Sequence, residues 1–456
     1  MASNAKTYDV AIIGLGSTGM GAARVLKAAG KKVIAFDKGP RGTLCILKGC
    51  MPSKGLFVPT HHILHAKHYQ NLLRGKANID INIGKLFAQS RKWRDEFRDY
   101  RLEGENKLGI TIIDGYAKLL DKNTVECDGN KYSAKNIIMS VGSKIFVPPI
   151  AGLEGTPYWT SDDVFELKEN SFNGKKIGII GGGVIGTEIG QLFIKLGFSV
   201  EIINRGDSLM SNFDEDMIQV LLGELKKQGI KFHFHSGPDK VVYKNKKFHV
   251  HFDDNRKGTY DHLLVTTGRR PIMVDGEGAA GIKRDERKRL IRNAKLQTSQ
   301  KNIYTGGDMS GIPLLHEARQ EGEFIGRHIL GKEKKGYTTN NVQVVFSYPH
   351  IASVGKHEYQ CEKGTYYAAT VIFDDGRSMM EGLDHGSIKI VTDKKGVVLG
   401  CSCVNDMADY LVQMMIPYVQ HKLNILDCTD MYHPTQPEIF LDLQDEIIAQ
   451  MKSKRK

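Results

Sequence analysis

The feature that most constrains the fold of this chain is a glycine-rich turn between a short apolar strand and a helix, and it occurs twice. The turn glycines are Gly14, Gly16 and Gly19 in the first copy and Gly181, Gly183 and Gly186 in the second. The first glycine permits the tight turn, the second lets a pyrophosphate approach the backbone, and the third lets helix and strand pack closely. Because a second strand follows each helix, the pattern predicts two dinucleotide sites.

The two copies end differently at the close of their second strand. Asp37 stands where a carboxylate accepts hydrogen bonds from an adenosine ribose. The second copy carries Asn204 and Arg205 at this place, and a guanidinium without the carboxylate suits the 2′-phosphate of NADP. An exposed loop arginine without a ligand explains Arg205 equally well, so the sequence leaves the choice between NAD and NADP open.

Two cysteines, Cys45 and Cys50, follow the first nucleotide motif with four residues between them. A bridge across so short a loop constrains the unfolded chain little, so the pair suits making and breaking a disulfide better than stapling a fold. Thiol exchange requires a thiolate, and a helix beginning at Cys50 with Lys48 and Lys54 nearby favours the anion. We therefore predict a redox-active pair close to a bound nucleotide.

Several further motifs occur in a fixed order along nearly the whole chain. They comprise Gly42 through Lys54 around the cysteines, Ser140 to Ser143, Thr266 to Pro271, Thr298 through Asp308, Leu314 to Ala318, Val345 to Gly355, and His433 to Glu438. Together with the two glycine turns, they resemble the pyridine nucleotide–disulfide oxidoreductases. That resemblance implies an α/β fold with two Rossmann-like domains, for FAD and NAD(P), and a C-terminal α+β dimerisation domain.

The resemblance also implies roles for individual residues. Cys50 is expected as the thiolate beneath the flavin and Cys45 as the thiol that exchanges with substrate. Lys54 is expected to pair with Glu188 beside the flavin, and Asp308 to hold the ribityl chain. The remaining residues expected at the cofactors are Ala117, Gly142, Gly268, Arg269, Leu315 and His316.

The C-terminal motif supplies a candidate acid/base. A histidine such as His433 gives and takes a thiol proton near neutral pH, and Glu438 is placed to fix its tautomer. In the family this motif reaches the site from the other subunit, so the resemblance implies a homodimer. Without the other motifs, His433 would be interpreted as a surface histidine in a proline-containing turn. Together with the upstream motifs, it is interpreted as catalytic.

The substrate is less constrained because the chain departs from the family pattern. Leu44 and Leu47 replace polar residues of the cysteine motif, Tyr432 interrupts a His-x-His arrangement, and His350 replaces a common Glu. Mercury is disfavoured as substrate, since neither a C-terminal cysteine pair nor a metal-carrying extension appears. The pattern is closest to the dihydrolipoamide dehydrogenase branch, with a lipoyl disulfide and a 2-oxoacid dehydrogenase complex as partners. The alternatives are an NADPH-dependent reductase of another small disulfide and a non-catalytic flavoprotein scaffold.

Composition limits the remaining classes of function. The 64 basic and 52 acidic residues give a net charge of +12, but only residues 452–456 form a dense basic run, so a solvated tail is favoured over nucleic-acid binding. No apolar stretch is long enough to span a membrane. Seven cysteines are too few for a disulfide framework, and free thiols at Cys127, Cys361, Cys401, Cys403 and Cys428 indicate a reducing, cytoplasmic compartment.

Two histidine clusters are interpreted without a metal. His61, His65 and His68 fall on one face of a helix, and no carboxylate lies within the cluster. His233, His235, His249 and His251 alternate along two predicted strands around residues 244–246, as in a hairpin with one exposed face.

The order of the motifs predicts the domain bounds. Residues 1–150 form the first part of the FAD domain and residues 151–275 the NAD(P) domain. Residues 276–345 complete the FAD domain, and residues 346–456 form the dimerisation domain.

Overall fold

The chain consists of alternating helices and strands, described by a computed structural model at residues 6–72, 80–311, 314–427 and 430–453. The strands are β1 (Lys6–Ile13), β2 (Val33–Asp37), β3 (Thr111–Asp114), β4 (Ala117–Leu119), β5 (Thr124–Cys127), β6 (Asn130–Met139), β7 (Ser143–Ile145), β8 (Trp159–Thr160), β9 (Lys176–Ile180), β10 (Ser199–Ile203), β11 (Lys231–His233), β12 (Pro238–Lys244), β13 (Lys247–Phe252), β14 (Lys257–Tyr260), β15 (His262–Val265), β16 (Arg269–Pro271), β17 (Ile303–Thr305), β18 (Gln343–Val345), β19 (His350–Gly355), β20 (Tyr366–Ile372), β21 (Ser387–Asp393) and β22 (Val398–Asn405). The α-helices are α1 (Ser17–Ala28), α2 (Leu44–Lys48), α3 (Cys50–His65), α4 (Ile83–Lys107), α5 (Ser161–Val164), α6 (Val184–Lys195), α7 (Glu215–Lys227), α8 (Leu315–Ile329), α9 (Gly376–Glu381), α10 (Ala408–Met414), α11 (Ile416–His421) and α12 (Ile439–Ser453).

The elements belong to two compact units. Unit 1 comprises residues 1–56, 87–146 and 269–339, and unit 2 comprises residues 57–86, 147–268 and 340–456.

Unit 1 is built on a sheet in the order β3-β2-β1-β6-β5-β4, with β17 paired to β6. Strands β3, β2, β1, β6 and β17 are parallel to one another, whereas β4 and β5 add an antiparallel ribbon at one edge of the sheet. Val10 and Ile12 of β1 pack with α1 and α8, while Ala11 and Ile13 pack with a second core that includes β4 to β6. Burial of both faces explains why β1 reads as a continuous apolar run.

Unit 2 contains a second parallel sheet, in the order β11-β10-β9-β15-β8. Strands β9 and β10 and helix α6 form its strand–turn–helix–strand motif. A three-stranded antiparallel sheet of β12, β13 and β14 belongs to the same unit. This sheet and the parallel one share an apolar core that includes Ile180, Ile203 and Phe248.

The C-terminal part of unit 2 is an antiparallel sheet in the order β18-β19-β22-β21-β20. Its apolar core gathers residues of β19 to β22, α10 and α12, including the buried Cys401 and Cys403. Lys389 on β21 is 5% exposed, and its Nζ lies 2.7 Å from the Asp216 carboxylate at the start of α7. Asp214 and Glu358 also pair with Lys389, so one buried cation holds α7 against the C-terminal sheet.

The predicted fold class is confirmed, because two Rossmann-like sheets and a C-terminal α+β part are present. The hairpin expected around residues 244–246 is β12–β13, which carries His249 and His251. Its extension to His233 was wrong, since that residue lies on β11 of the parallel sheet. The predicted domain bounds stay predictions. Across the described ranges, the helices lack a segment with both the length and the apolar character needed to cross a bilayer.

Candidate functional site

The two cysteines lie on consecutive helices in unit 1. Cys45 is in the first turn of α2, whose N-terminus is capped by the Thr43 side chain accepting a hydrogen bond from the Ile46 N–H at 3.2 Å. Cys50 begins α3. Between them, a Cβ on Gly49 would lie 3.2 Å from Cys45 Cα, so this glycine allows the two helix ends to approach. The side chain of Leu47, which replaces a polar residue of the family pattern, packs against Gly42.

Neither cysteine forms a disulfide, and the two side chains are hydrogen-bonded to each other. The hydrogen bond to Cys50, then burial, then the negative charge of Cys50 raise the pKa of the Cys45 thiol, while the positive charge of Lys54 opposes them. A second negative charge beside the first is disfavoured, so the pair favours one thiolate beside one thiol. Thiol–disulfide exchange uses this combination of one thiolate and one thiol.

The first glycine turn forms a cradle for a dinucleotide at the N-terminus of α1. A Cβ on Gly19 would lie 2.5 Å from the Gly14 carbonyl oxygen, so only glycine allows α1 to pack this closely on β1. The Asp37 carboxylate accepts hydrogen bonds from the N–H groups of Leu15 and Gly39, both at 2.8 Å. A glycine turn at the helix N-terminus and a fixed acid at the strand end fit the pyrophosphate and ribose of FAD.

Further FAD-site candidates of unit 1 are joined by hydrogen bonds. Ser143 Oγ donates to the Asp308 carboxylate, and Arg269 Nε donates to Ser143 Oγ at 3.1 Å. Leu315 and His316 are exposed at the first turn of α8. The sequence marked Ser143 as part of the Ser140–Ser143 motif but not its bonds to Asp308 and Arg269, because these partners stand 165 and 126 residues away.

The last two FAD-site candidates of unit 1 sit on or beside its sheet. Ala117 is buried in β4. Gly142 has a positive φ of 77°, and a Cβ there would meet nothing within 4 Å, so the backbone at this point is open. Both remain predicted ligands of the flavin nucleotide.

The second glycine turn, in unit 2, has the same geometry. A Cβ on Gly186 would overlap the Gly181 carbonyl oxygen, whereas one on Gly183 would meet nothing within 4 Å, which leaves room for a pyrophosphate. The Gly182 N–H donates to Asn204 Oδ1 at 3.2 Å, and the acceptor stands 22 residues later in sequence. The Leu15–Asp37 bond of the first turn spans the same 22 residues. Asn204 therefore holds the place of the acid, with a neutral amide instead of a carboxylate.

Three further predicted cofactor-site residues, Arg205, Gly268 and Glu188, lie in unit 2. The side chain of Arg205 packs against Gly237, next to the Asp253 carboxylate. Gly268 follows β15 with a positive φ of 103°. Glu188 lies on α6 and accepts a hydrogen bond from the Phe346 N–H at 2.9 Å. Lys54 belongs to unit 1, and its pairing with Glu188 stays a prediction.

His433 and Glu438 form a hydrogen-bonded pair in unit 2. His433 Nδ1 lies 2.9 Å from Glu438 Oε1, and the Thr435 N–H donates to Oε2 at 2.9 Å. The Thr435 N–H first, and then His433, lower the pKa of Glu438, so this carboxylate is ionised and holds the Nδ1–H tautomer. Nε2 is then left as the proton acceptor, on a histidine side chain that is 83% exposed. The geometry suits an acid/base that acts on a group outside this subunit's own core.

The histidine cluster of α3 contacts a carboxylate from elsewhere in unit 2. His61 stacks on the Tyr348 ring, with centroids 3.6 Å apart, and its Nε2 lies 3.5 Å from Asp406. The side chain of His68, the thiol of Cys428 and tail residues 454–456 lie outside the described residues. Throughout the part of the chain that the structure describes, His, Cys, Asp and Glu side chains form no group suited to hold a metal ion.

Comparisons with known proteins agree with this geometry. Residues 8–322 match the family model described as pyridine nucleotide-disulphide oxidoreductase, and residues 342–443 match its dimerisation domain. A mercuric reductase of Lysinibacillus sphaericus is 30% identical over 94% of this chain and 80% of its own. A dihydrolipoyl dehydrogenase of Thermus scotoductus is 29% identical over 98% of each. The solved HOCl-induced flavoprotein disulfide reductase RclA of Escherichia coli has the same fold, with a TM-score of 0.85 at 23% identity over 96% of this chain and 99% of its own.

Proposed function

Because the chain belongs to the pyridine nucleotide–disulfide oxidoreductase family, we propose that it reduces a disulfide, or oxidises the corresponding dithiol, as a dihydrolipoyl dehydrogenase does. Members of this family are enzymes that bind FAD and use NAD(P)H, which sets aside the interpretation as a non-catalytic scaffold. The observation that carries the proposal is the hydrogen-bonded pair of Cys45 on α2 and Cys50 at the start of α3. The full-length match to a dihydrolipoyl dehydrogenase supports the lipoyl substrate.

The proposed reaction balances as NAD(P)H, one proton and a disulfide giving NAD(P)⁺ and two thiols. Bound FAD, held by the Gly14–Gly19 turn, Asp37 and Asp308, would supply two-electron transfer between the nicotinamide and the cysteine pair. Cys45, the exchanging thiol, attacks one sulfur of the substrate disulfide and forms a mixed disulfide. Cys50 then attacks Cys45, which restores the intramolecular bond and releases the second substrate thiol.

His433 moves the protons of this exchange. Its Nε2 accepts the Cys45 proton during attack and gives a proton to the departing substrate thiolate. Glu438 keeps the imidazole oriented and stabilises its protonated form, because its carboxylate is fixed by the Thr435 N–H. A match to the dimerisation domain over residues 342–443 supports a homodimer. In that dimer we propose that His433 serves the cysteine pair of the partner subunit.

A second candidate is an NADPH-dependent reductase of another small disulfide. The observation that favours it is Asn204 in the place that Asp37 occupies in the first turn, with Arg205 next to it. A neutral amide does not repel a 2′-phosphate, whereas a carboxylate does. The two candidates share the cysteine chemistry and differ in coenzyme and substrate.

A substrate panel separates the candidates. We suggest assaying the FAD-loaded enzyme with NADH and with NADPH against lipoamide, glutathione disulfide, a mycothiol-type disulfide, coenzyme A disulfide and Hg²⁺. The lipoyl proposal expects NADH with lipoamide to give the highest kcat/KM. A strong preference for NADPH with another disulfide would replace it by the second candidate. Turnover of Hg²⁺ alone would contradict both. Co-purification with a 2-oxoacid dehydrogenase complex would support the proposed lipoyl partner.

A further inference from the structure

The turn that carries His433 and Glu438 contains a buried amide that takes no part in the proposed chemistry. Gln436 opens the short 3-10 helix that ends at Glu438, and it is only 7% exposed. Its Nε2 donates a hydrogen bond to Ser378 Oγ at 2.9 Å. Because the Gln436 amide is buried, its hydrogen bond to Ser378 holds the turn against helix α9.

Ser378 connects this amide to a carboxylate. The Ser378 side chain is fully buried, and its hydroxyl donates to Asp375, the N-cap of α9. The donor and acceptor roles in this series of hydrogen bonds are fixed, because the Gln436 amide nitrogen can only donate and the ionised Asp375 carboxylate can only accept. Burial works to raise the pKa of Asp375, but the hydrogen bonds from Ser378 outweigh it and hold that pKa below its usual value. The link Gln436–Ser378–Asp375 is therefore a polarised, charge-terminated chain.

The C-terminal end of α9 accepts hydrogen bonds from side chains at the end of α3 and just after it. His65, the last residue of α3, lies with Nε2 3.1 Å from the Glu381 carbonyl oxygen. Tyr69, in the 3-10 helix after α3, donates to the Met380 carbonyl oxygen at 3.1 Å. These bonds satisfy carbonyls at the end of α9. Helix α9 is thus bonded at one end to the acid/base turn and at the other to the C-terminal end of the helix that begins with Cys50.

We propose that α9 positions the acid/base pair, with Ser378 and Gln436 as positioning residues that keep His433 and Glu438 in their reactive orientation. This inference rests on the proposed role of His433 in thiol exchange. The side chains of Ser378 and Gln436 are buried, so we expect them to act only through the turn. Loss of the link affects the exchange half-reaction and leaves coenzyme oxidation untouched.

The test is a pair of half-reactions measured by stopped flow on the FAD-loaded dimer. Reduction of the flavin by the coenzyme is followed first, and reoxidation by the best disulfide of the panel second. Ser378→Ala is expected to slow reoxidation about five- to tenfold, as for one lost hydrogen bond, and to leave flavin reduction unchanged. Ser387→Ala is the matched control, because Ser387 is also buried, on β21, and its hydroxyl donates to the sulfur of Met217, away from the His433 turn. It should leave both rates unchanged.

The decisive measurement combines Ser378→Ala with His433→Gln. If Ser378 acts by positioning His433, it has no further effect once His433 is gone. Equal slowing in both backgrounds, slowing of both half-reactions, or no slowing would overturn the inference. If His433→Gln itself leaves reoxidation at the wild-type rate, the proposed function fails, and that result is independent of Ser378. Gln436→Met removes the same link from the other side and serves where Ser378→Ala does not fold, as judged by thermal melting and flavin content.

Discussion

The choice between NADH and NADPH is expected to depend on Nδ2 of Asn204, the atom that an aspartate would replace by a charged oxygen. Its Oδ1 accepts the Gly182 N–H, and its Nδ2 donates to the Ser208 carbonyl oxygen at 2.8 Å. Asn204→Asp keeps the acceptor and exchanges the donor for a second carboxylate oxygen. The substitution therefore recreates the charge that Asp37 has in the first turn, within an unchanged backbone.

The magnitude follows from the two bonds that change. A hydrogen bond from a ribose hydroxyl to a carboxylate is worth about 1.5–3 kcal/mol, or roughly 10- to 100-fold in kcat/KM for NADH. Repulsion of the 2′-phosphate is expected to cost NADPH about another tenfold, since the two charges lie within a few ångströms in a partly exposed site. Loss of the Ser208 bond lowers stability by about 1–2 kcal/mol without affecting coenzyme choice.

The measurement is the ratio of kcat/KM for NADH to that for NADPH at fixed ionic strength. We expect N204D to raise this ratio at least tenfold. Asn245→Asp is the control, because it adds the same charge to the exposed β12–β13 turn of unit 2. A ratio that changes less than threefold in N204D, or that changes equally in the control, would refute the assignment of Asn204 to the ribose position.

Three further predictions concern the nucleotide cradle, the buried cation and the thiols. Gly19→Ala should lose bound FAD and destabilise unit 1 by about 1–3 kcal/mol, as seen by flavin absorbance and melting, whereas Gly104→Ala, where a Cβ meets nothing, should stabilise α4 slightly. Lys389→Met should lower the free energy of unfolding by about 2–3 kcal/mol in urea titrations. The pKa of Asp214 is lowered, because the His357 hydrogen bond and the Lys389 charge outweigh the effect of its burial, so the advantage of wild type over K389M should persist above about pH 4 and shrink below it. Cys45→Ser should abolish disulfide reduction while NAD(P)H still bleaches the flavin; retained disulfide turnover would contradict the role of this thiol.

Local patterns in the sequence were sufficient to predict both nucleotide-binding motifs. Strands β9 and β10 flank the second glycine turn and its helix in the predicted order, because a buried parallel strand is a short apolar run and each turn is marked by its glycines. Asn204 could be located by analogy with Asp37, since Asp37 ends the second strand of its motif and Asn204 directly follows the second strand of the other. The His433–Glu438 contact was predictable because Glu438 follows His433 by only five positions in the same motif.

Contacts between distant segments could not be predicted in the same way. Ser378 and Gln436 are 58 residues apart, and although Gln436 lies within the His433–Glu438 motif, Ser378 belongs to no motif that would reveal it as its partner. Lys389 meets Asp216 across 173 residues, and a lone lysine in a strand carries no sign of burial. The alternation of histidines led to the wrong prediction that His233 belongs to the hairpin, because side chains alternate with period 2 in a parallel strand as well as in a hairpin. Such pairings depend on the tertiary arrangement of strands, which periodicity does not report.

The cation of Lys389 has a consequence for how coenzyme enters and leaves. Pulling the buried ammonium of Lys389 away from the buried Asp214 and its other carboxylates costs several kcal/mol, so we expect separation of α7 from the C-terminal sheet to be rare on the timescale of turnover. We therefore expect the nicotinamide coenzyme to enter and leave through rotation of individual side chains and small loop shifts. Movement of α7 away from the C-terminal sheet is not expected to be part of this exchange.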